Sequence, residues 1–506
     1  MTWLRTLLAL TPLLLGACAA VGPDFTPPEA DLPETWAQPP DAGLATAGQV
    51  PVAWWTLFED PVLNELIDTA RRNNNTLEIA ALRVLESRAQ LGVATGLKYP
   101  QVQVAAGDAS YVSPPDNTGV TSNYWQLALG ASASWELDFW GRYRRGIESA
   151  DAAFLASVAA YDQASVVLTA AVVDLYTLIR LTEEQLRIAG ENVVIQQRSY
   201  DIAEVLYRNG ADSELDMQQA NTLLLSTQAT IPGLETALAQ ARNALSTLLG
   251  EPPGAVEARL AQGAGLPVLP ATLAIGIPAD MLRRRPDVRQ AEYAAMAQNA
   301  RIGLAKADLY PSFSLTGSIG LTANTLGSSD FGDLFSSDAL TFSIGPSFVW
   351  PFLNYGRIRN NVRVQDARLQ QALVNYRETV LQAAREAEDA MAALIGARRQ
   401  RDILQQTVAS AVRSNELATL RYSEGFSDYE RVLNSQQALF SQQQRFIGAQ
   451  GDIVRSAIAL YKALGGGWET RDGLPRIGDD AVETMQERTD WGDLMPAGDD
   501  DRRDRE

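Results

Sequence analysis

The stretch from Trp125 to Phe139 reads WQLALGASASWELDF, and it decides the fold class because two kinds of side chain alternate along it. Every second residue is apolar, and the residues between are Gln, Ala, Gly, Ser, Glu and Asp. A period of two is that of a β-strand, and a usual globular strand has only about five or six residues. The run therefore predicts a transmembrane strand with lipid on one face and water on the other. A large soluble β-sandwich is the alternative.

Three further runs are predicted to be strands of the same type. In the third strand Phe313 and Leu315 alternate with Ser and Thr residues. The first strand has the weakest pattern, although Val102, Val104 and Ala106 share a face. The four strands are expected at about residues 100–112, 124–139, 311–322 and 341–352.

Four amphipathic strands cannot stand alone in a bilayer, because an open sheet leaves unpaired backbone groups in hydrocarbon. Four strands also do not close a barrel, since membrane barrels begin at about eight. Several copies of the chain must therefore associate to close the sheet. This argument requires an oligomer and leaves the number of subunits open.

A helix is predicted before each pair of strands, over 63–97 and 281–309, and each ends near a Tyr-Pro pair, because the residue before proline is disfavoured in a helix. Long helical hairpins are predicted after each pair of strands. Residues 141–209 contain no proline, and apolar side chains recur there on multiples of seven, as at Val172 and Ile179. Sustained heptads indicate a coiled coil, and a helix of about 65 to 70 residues is on the order of 100 Å long. A partner helix is expected to return over 215–249, and the second hairpin is expected over 356–464.

The chain contains an internal duplication. The motif at Trp135–Arg142 matches Trp350–Arg357 at an offset of 215 residues, and Leu249-Gly250 matches Leu464-Gly465 at the same offset. Upstream, the Tyr99-Pro100 pair matches Tyr310-Pro311 at an offset of 211. Matches at fixed offsets over more than a hundred residues indicate two copies of one unit.

The composition closes most routes to enzyme chemistry. The 506 residues include no histidine, which excludes His-ligated metals and Ser-His-Asp triads. A single cysteine excludes an intrachain disulfide and a multi-Cys metal site. The formal net charge of −19 argues against a nucleic-acid partner. We therefore expect no enzyme activity, no metal and no cofactor other than a covalent lipid.

That lipid is predicted at the N-terminus. Residues 1–17 have the apolar centre of a secretory signal peptide, and they end in Leu15-Gly16-Ala17 before Cys18. The pattern is similar to a bacterial lipobox, in which the cysteine is lipidated, and Ala19 then implies the outer membrane. An ordinary signal peptide with an incidental cysteine is the alternative.

The predicted organisation has six parts. The signal peptide precedes a lipidated N-terminal segment, a first repeat, a linker, a second repeat and an acidic tail expected to be disordered. Their bounds are 1–17, 18–62, 63–250, 251–280, 281–465 and 466–506.

The tips of the two predicted hairpins are acidic. Ser213 with Asp216, and Ser427 with Glu430, fit the pattern of helix N-caps, and this is the structural interpretation. The functional interpretation is that symmetry turns each acid into a ring at the closed end of a pore, where it attracts cations. The tip acids are Asp212, Glu214, Asp216, Asp428 and Glu430.

The chain resembles TolC-like outer-membrane factors, and its opening Val21–Phe25 resembles the NodT-type efflux lipoproteins. Further resemblance lies in Trp54–Leu63, in Leu282–Arg289 and in Tyr461–Trp468. The family implies an α+β membrane protein, a homotrimer with a twelve-stranded β-barrel and a periplasmic α-helical barrel. It also implies a passive exit channel that works with a periplasmic adaptor and an inner-membrane RND transporter.

The resemblance also implies roles at the tips. Residues that match the family's adaptor contacts are Tyr207, Arg208, Gly210, Arg421, Tyr422 and Gly425. The family often has gate aspartates where this chain has Arg431 and Asn434, so we predict that Arg431 changes the gate chemistry. A type I protein-secretion duct and a lipid-anchored coiled-coil scaffold remain alternative functions.

Overall fold

The structure is a computed structural model. It describes residues 20–28, 35–37, 43–46, 51–115, 122–263, 265–276, 278–326, 330–469 and 475–495. The predicted signal peptide and Cys18 lie outside these residues. The chain forms two compact units. The sheet unit comprises Met1–Glu29, Leu85–Ser157 and Gln290–Tyr376, and the helical unit comprises Ala30–Val84, Val158–Arg289 and Arg377–Glu506.

Four strands form the antiparallel sheet of the sheet unit, and two very short strands pair in parallel elsewhere. The strands of the described chain are β1 (Leu44–Ala45), β2 (Val102–Val112), β3 (Tyr124–Leu137), β4 (Leu273–Ala274), β5 (Ser312–Asn324) and β6 (Leu340–Val349). The sheet order is β2-β3-β5-β6, and β1 pairs with β4. The long strands agree with the four predicted runs to within three residues, although β5 ends two residues later than expected and β6 begins one residue earlier.

The register of the sheet places the first strand differently from what its apolar residues suggest. Val102 pairs with Ser134 and Val104 with Ser132. Paired residues point to the same side of a sheet, so both valines lie on the polar face. Since β2 has no strong alternation of its own, only the pairing with β3 decides which way its side chains point.

The helices of the described chain range from one turn to 67 residues. They are α1 (Pro61–Asn73), α2 (Asn75–Gly96), α3 (Arg142–Arg208), α4 (Glu214–Gln228), α5 (Ile231–Leu248), α6 (Glu257–Leu260), α7 (Pro278–Arg284), α8 (Pro286–Ala307), α9 (Arg357–Ser423), α10 (Tyr429–Ala463) and α11 (Asp479–Arg488).

Helices α3 and α9 are the two long helices expected from the heptads, and each has 67 residues. At 1.5 Å per residue each is about 100 Å long. One stretch of α3 is apolar enough to cross a membrane by composition, but 67% of it is buried inside the protein. That burial is typical of a core helix, and Val172 and Ile179 of the heptad seam are fully buried.

Three helices predicted as continuous are broken in the structure. The expected return helix 215–249 is divided into α4 and α5, because Pro232 at the start of α5 cannot donate a helical hydrogen bond and clashes with the preceding turn. The helices expected over 63–97 and 281–309 are each divided as well, at Asn74 and at Arg285. Arg285 precedes Pro286, and a residue before proline is disfavoured in the helical region.

Aromatic side chains form the core of the helical unit near the end of α10. Trp54 stacks on Tyr461 with ring centroids 5.5 Å apart and planes at 8°. The guanidinium of Arg71 lies 4.7 Å from the centroid of Trp55, a cation–π contact. This cluster brings together Trp54–Leu63 and Tyr461–Trp468, two of the stretches that carry the family resemblance.

The acidic tail contains a helix, so the expectation that it is disordered throughout is wrong for its described part. Helix α11 begins with Asp479 and Asp480 and ends at Arg488, and this charge order favours a helix dipole. Ile477 just before it is buried, and the Gly478 N–H donates to Glu78 at 3.2 Å. These contacts attach the start of the helix to the helical unit.

Candidate functional site

The four-stranded sheet has one polar face. Ser132 pairs with Ser318, and Ser318 pairs with Ser343. The hydroxyls of Ser318 and Ser343 are 2.8 Å apart and hydrogen-bond across the strands. The same face carries Ser134, Glu136, Ser314, Thr316, Thr322, Asn324, Thr341 and Ser347. Small hydroxyl side chains of this kind are typical of a surface in contact with water.

The opposite face of the sheet is apolar and exposed. Ile319 pairs with Ala131 on one side and Phe342 on the other. Phe342 and Phe348 are 69% and 68% exposed. The face continues through Leu127, Leu129, Trp135, Leu315, Leu321, Leu340 and Ile344. A continuous apolar surface of this kind requires an apolar neighbour, either lipid or another protein.

The sheet has two open edges within the described chain. Strands β2 and β6 each pair on one side only, so each presents a row of backbone groups that a further strand could pair with. In hydrocarbon those groups must be paired. The sheet is therefore suited to a bilayer only when strands of other copies continue it.

Charged side chains begin where β3 passes into α3. The Arg142 guanidinium lies 3.6 Å from Glu136, and the Nε of Arg144 lies 3.2 Å from Asp138. The Asp138 carboxylate also accepts the backbone N–H groups of Tyr143 and Arg144 at 3.0 Å, which satisfies free donors of the helix start. Burial, with Glu136 nearby, raises the pKa of Tyr143 to about 12. Charges thus mark the boundary between strand and helix.

The two hairpin tips end in the same backbone motif. Gly210 and Gly425 have φ of +71° and +74°, which an L-residue with a Cβ rarely adopts. After Gly210, the Ala211 N–H donates to Leu206 O at 2.9 Å, and after Gly425 the Phe426 N–H donates to Arg421 O at 2.8 Å. This is the Schellman termination of a helix, and it accounts for both glycines structurally.

The tips of the two hairpins pack together around tyrosines. Tyr422 at the end of α9 meets Tyr429 at the start of α10 edge to face, with centroids 5.3 Å apart. The buried cluster also includes Ala203, Ala220 and Val432, which come from α3, α4 and α10. The Tyr422 hydroxyl donates to the Asp212 carboxylate of the first tip. Tyr422 thus joins the two hairpins both by packing and by a hydrogen bond.

The first tip has the predicted helix cap, and the second does not. The Ser213 hydroxyl accepts the Asp216 N–H at 3.2 Å and donates to its carboxylate at 2.8 Å. At the second tip the N-cap is Asp428, with no side-chain cap hydrogen bond. The expected Ser427 cap is therefore wrong, because the helix begins one residue later, at Tyr429.

The two acids of the first tip have opposite pKa shifts. Burial disfavours ionisation of Asp212, but hydrogen bonds from Asp216, Tyr422 and the Ser213 amide lower its pKa below the usual value. Burial and the hydrogen bond to Asp212 raise the pKa of Asp216. Between the two pKa values the pair therefore holds one proton.

Most of the other tip residues named from the sequence lie at the surface. Arg421, Arg431 and Asn434 line one groove of about 470 Å³ on the second hairpin. The exposed residues are Tyr207, Arg208, Glu214, Arg421, Asp428, Glu430, Arg431 and Asn434. Among the described residues, no group of three or more His, Cys, Asp or Glu is placed to hold a metal ion.

Two exposed apolar side chains at the tips were not predicted from the sequence. Phe426, in the second turn, is 74% exposed, and Leu215, at the start of α4, is also exposed. Each is a single apolar residue in or beside a turn, so neither belongs to a periodic pattern. Their exposure is the signal, and it is visible only in the structure.

Comparisons with known proteins agree with this architecture. The chain is 32% identical over 458 residues to the cation efflux system protein CusC of Escherichia coli O6:H1, covering 90% of this chain and 97% of that relative. It is 33% identical over 483 residues to the antibiotic efflux pump outer membrane protein ArpC of Pseudomonas putida, covering 92% and 96%. The solved structure of the outer-membrane channel OprN matches with a TM-score of 0.84 at 31% identity, over 89% of this chain and 100% of that one.

The profile of one family covers most of the chain. It matches residues 66–251 and residues 277–466, two segments that each contain a pair of long strands and a long helical hairpin. Since both the profile and relatives above 30% identity match over most of their length, the chain belongs to the outer membrane efflux protein family.

Proposed function

We propose that the protein is the exit channel of a tripartite efflux pump and conducts substrates passively out of the cell. Its location in the outer membrane and its role in efflux follow from its family, as the resemblance implied. The proposal adds the pore itself. The observation that carries it is the sheet, with an exposed apolar face, a hydroxyl-rich face and two open edges.

The pore is proposed to be a homotrimer. Three copies of the four-stranded sheet would close edge to edge into a twelve-stranded barrel, with β2 of one copy beside β6 of the next. The apolar faces would then meet lipid and the hydroxyl faces would line water. The long helices of the three copies would continue the tube as a helical barrel, as the resemblance implied.

The partners are proposed to be a periplasmic adaptor and an inner-membrane RND transporter. CusC and ArpC are named for an efflux system and an efflux pump, and a passive duct needs a transporter to supply energy. The adaptor would dock on the hairpin tips, where Phe426 and Leu215 expose apolar surface and Arg421 and Tyr207 are exposed as well.

The lipid anchor on Cys18 is proposed from its lipobox. The residues that follow it are held in the sheet unit: the Val21 N–H donates to Trp140 O at 2.9 Å, and Arg145 pairs with Asp24 at 2.8 Å. Asn299 also donates to Pro23 O at 2.9 Å. These contacts keep the start of the segment beside the junction of β3 and α3, so an acyl chain would enter the bilayer next to the strands. Mass spectrometry of the mature N-terminus tests this, with C18S as the control.

The function is tested by conductance in planar bilayers and by efflux. The purified protein is expected to form cation-preferring channels, and its deletion is expected to raise intracellular accumulation of a dye that the pump exports. A protein that never conducts, but still joins the two envelope layers, would support the scaffold instead. Loss of a secreted protein without loss of dye efflux would support a type I secretion duct.

A further inference from the structure

Arg285 is a buried arginine at the break between α7 and α8, and its side chain is only 6% exposed. Its Nε and Nη2 donate to the two carboxylate oxygens of Asp287 at 3.0 and 2.7 Å. Its Nη1 donates to Ala463 O at the end of α10 at 2.7 Å, and its Nη2 also reaches Glu386 of α9 at 2.8 Å. One guanidinium thus holds three helical elements of the helical unit.

The first repeat has a neutral counterpart of this contact. Asn74 lies at the break between α1 and α2 and donates to Leu248 O at the end of α5 at 2.9 Å. Asn74 and Arg285 are separated by the upstream offset of the duplication, 211, and Leu248 and Ala463 by the hairpin offset, 215. Both pairs therefore satisfy the last carbonyl of the returning helix from equivalent positions.

The glycines after these carbonyls support the equivalence. Gly250 and Gly465 have φ of +69° and +70°. A Cβ on Gly250 would lie 2.2 Å from Asn73 O, and one on Gly465 would lie 2.9 Å from the Cγ of Arg285. In each repeat the chain turns tightly against the same break, and no side chain fits between them.

The repeats differ in charge at this point. Where the second repeat has Asp287 and Glu386, the corresponding residues of the first repeat are Thr76 and Ala171. At this break, therefore, only the second repeat can form an ion pair to its long helix. The first repeat ties α3 to α5 at another place, through Arg242 and Glu183 at 3.0 Å. The planar fork of arginine suits this task, because its donors reach two carboxylates and a carbonyl at once.

We propose that Arg285 is a positioning residue that ties α9 to the end of α10 and so limits how often the tips of the two hairpins separate. This tie between Glu386, Arg285 and Ala463 is called the latch. Glu386 lies 37 residues before the end of α9 at Ser423. That span is about 55 Å, so a rotation of about 5° at Glu386 would move the tip by about 5 Å. The inference rests on the proposed channel function, because it concerns the opening of that channel.

Glu386 is the most exposed partner of Arg285, since its side chain is 49% exposed. The contacts of Arg285 with Asp287 and Ala463 do not involve α9. The variant E386A introduces the residue of the first repeat and removes only the tie to α9. The matched control is E378A, which removes a glutamate of the same helix that contacts Gln382 instead. Both variants change the charge equally.

The experiment records single channels of the full mature protein in planar bilayers and amide hydrogen exchange of α9 in detergent. We expect E386A to raise the open fraction, which is the fraction of time that a channel spends in its higher-conductance state, about two- to fivefold. This is the range expected from the loss of one partly exposed ion pair. Faster exchange is expected around Glu386, and E378A should match the wild type in both measurements.

Equal open fractions and equal exchange in E386A and E378A would overturn the latch. A wild-type protein without conductance would overturn the proposed function, and the exchange comparison would still decide whether the tie restrains α9. The variants R285N and R285K extend the test, because asparagine copies the neutral cap and lysine retains the charge. The latch predicts that the open fraction of R285K lies between those of the wild type and R285N. Identical open fractions in R285K and R285N would contradict it.

Discussion

At the residue scale, one hydrogen bond at the hairpin tips joins distant parts of the chain. Tyr422 is buried and donates its hydroxyl to Asp212, which is 210 residues away in sequence. Tyr207 lies 215 residues earlier, at the offset of the predicted duplication, and it is exposed. Equivalent positions thus have different roles, because only Tyr422 faces a carboxylate of the other hairpin.

The variant Y422F is expected to loosen the tips. It removes the donor to Asp212 and keeps the ring that packs on Tyr429, so the loss should be about 1 kcal/mol. Larger and more frequent channel openings in planar bilayers are the expected result. Y207F is the control, and an effect of Y207F equal to that of Y422F would contradict this role.

The contact of Asp212 with Asp216 is expected to depend on pH. Because the pKa of Asp212 is lowered, its ionised carboxylate stabilises the tip above the ordinary aspartate pKa, and this stabilisation is lost as pH falls through the lowered value. Because the pKa of Asp216 is raised, its protonated carboxyl stabilises the tip below the ordinary pKa, and this stabilisation is lost as pH rises through the raised value. Channel opening should therefore be rarest between the two values.

The variant D216N tests separately whether Asp216 causes the rise in channel opening at higher pH. An asparagine amide keeps a donor toward Asp212 at every pH, so opening should no longer rise as pH increases above the raised pKa of Asp216. The measurement is open fraction against pH in planar bilayers. A rise in D216N identical to that of the wild type would exclude Asp216 as the titrating group.

Arg431 is expected to set the ion preference of the closed end. It is exposed and lines the groove with Arg421 and Asn434, beside Glu430 and Asp428. R431A should increase cation preference, since it leaves the neighbouring acids without that positive charge. Reversal potentials in a salt gradient measure this. Unchanged conductance and unchanged preference would show that Arg431 has no part in the gate.

At the element scale, the sheet separates two environments across the thickness of one strand. Ile344 of β6 lies on the apolar face and its neighbour Ser343 on the polar face. We expect I344R to prevent stable insertion, since an arginine facing lipid near the bilayer midplane costs about 2–4 kcal/mol. S343R should insert and reduce single-channel conductance. Heat-modifiable mobility of outer-membrane fractions tests insertion, and equal insertion of both variants would exclude a lipid-facing Ile344.

At the scale of the whole molecule, the open edges of β2 and β6 make the single chain incomplete as a membrane protein. The mature protein is therefore expected to be a trimer in mild detergent. Native mass spectrometry measures the stoichiometry, and a stable monomer with intact strands would contradict the proposed closure. Insertion-defective I344R should remain monomeric, which links the two measurements.

The sequence by itself determined the elements whose pattern is local and repeated. The alternation of Trp125–Phe139 specifies a two-faced strand, and heptads without proline specify the long helices α3 and α9. In both cases the period of the side chains matches the geometry of one element. Membership of the efflux family was also correctly predicted, because its motifs are contiguous in the chain.

Only the tertiary structure decided what depends on distant partners. Pairing with β3 places Val102 and Val104 on the polar face. The meeting of two tips joins Tyr422 to Asp212, and the turn after α10 brings Ala463 to Arg285. No local period encodes these contacts, because each requires two segments that only the packing of other elements brings together.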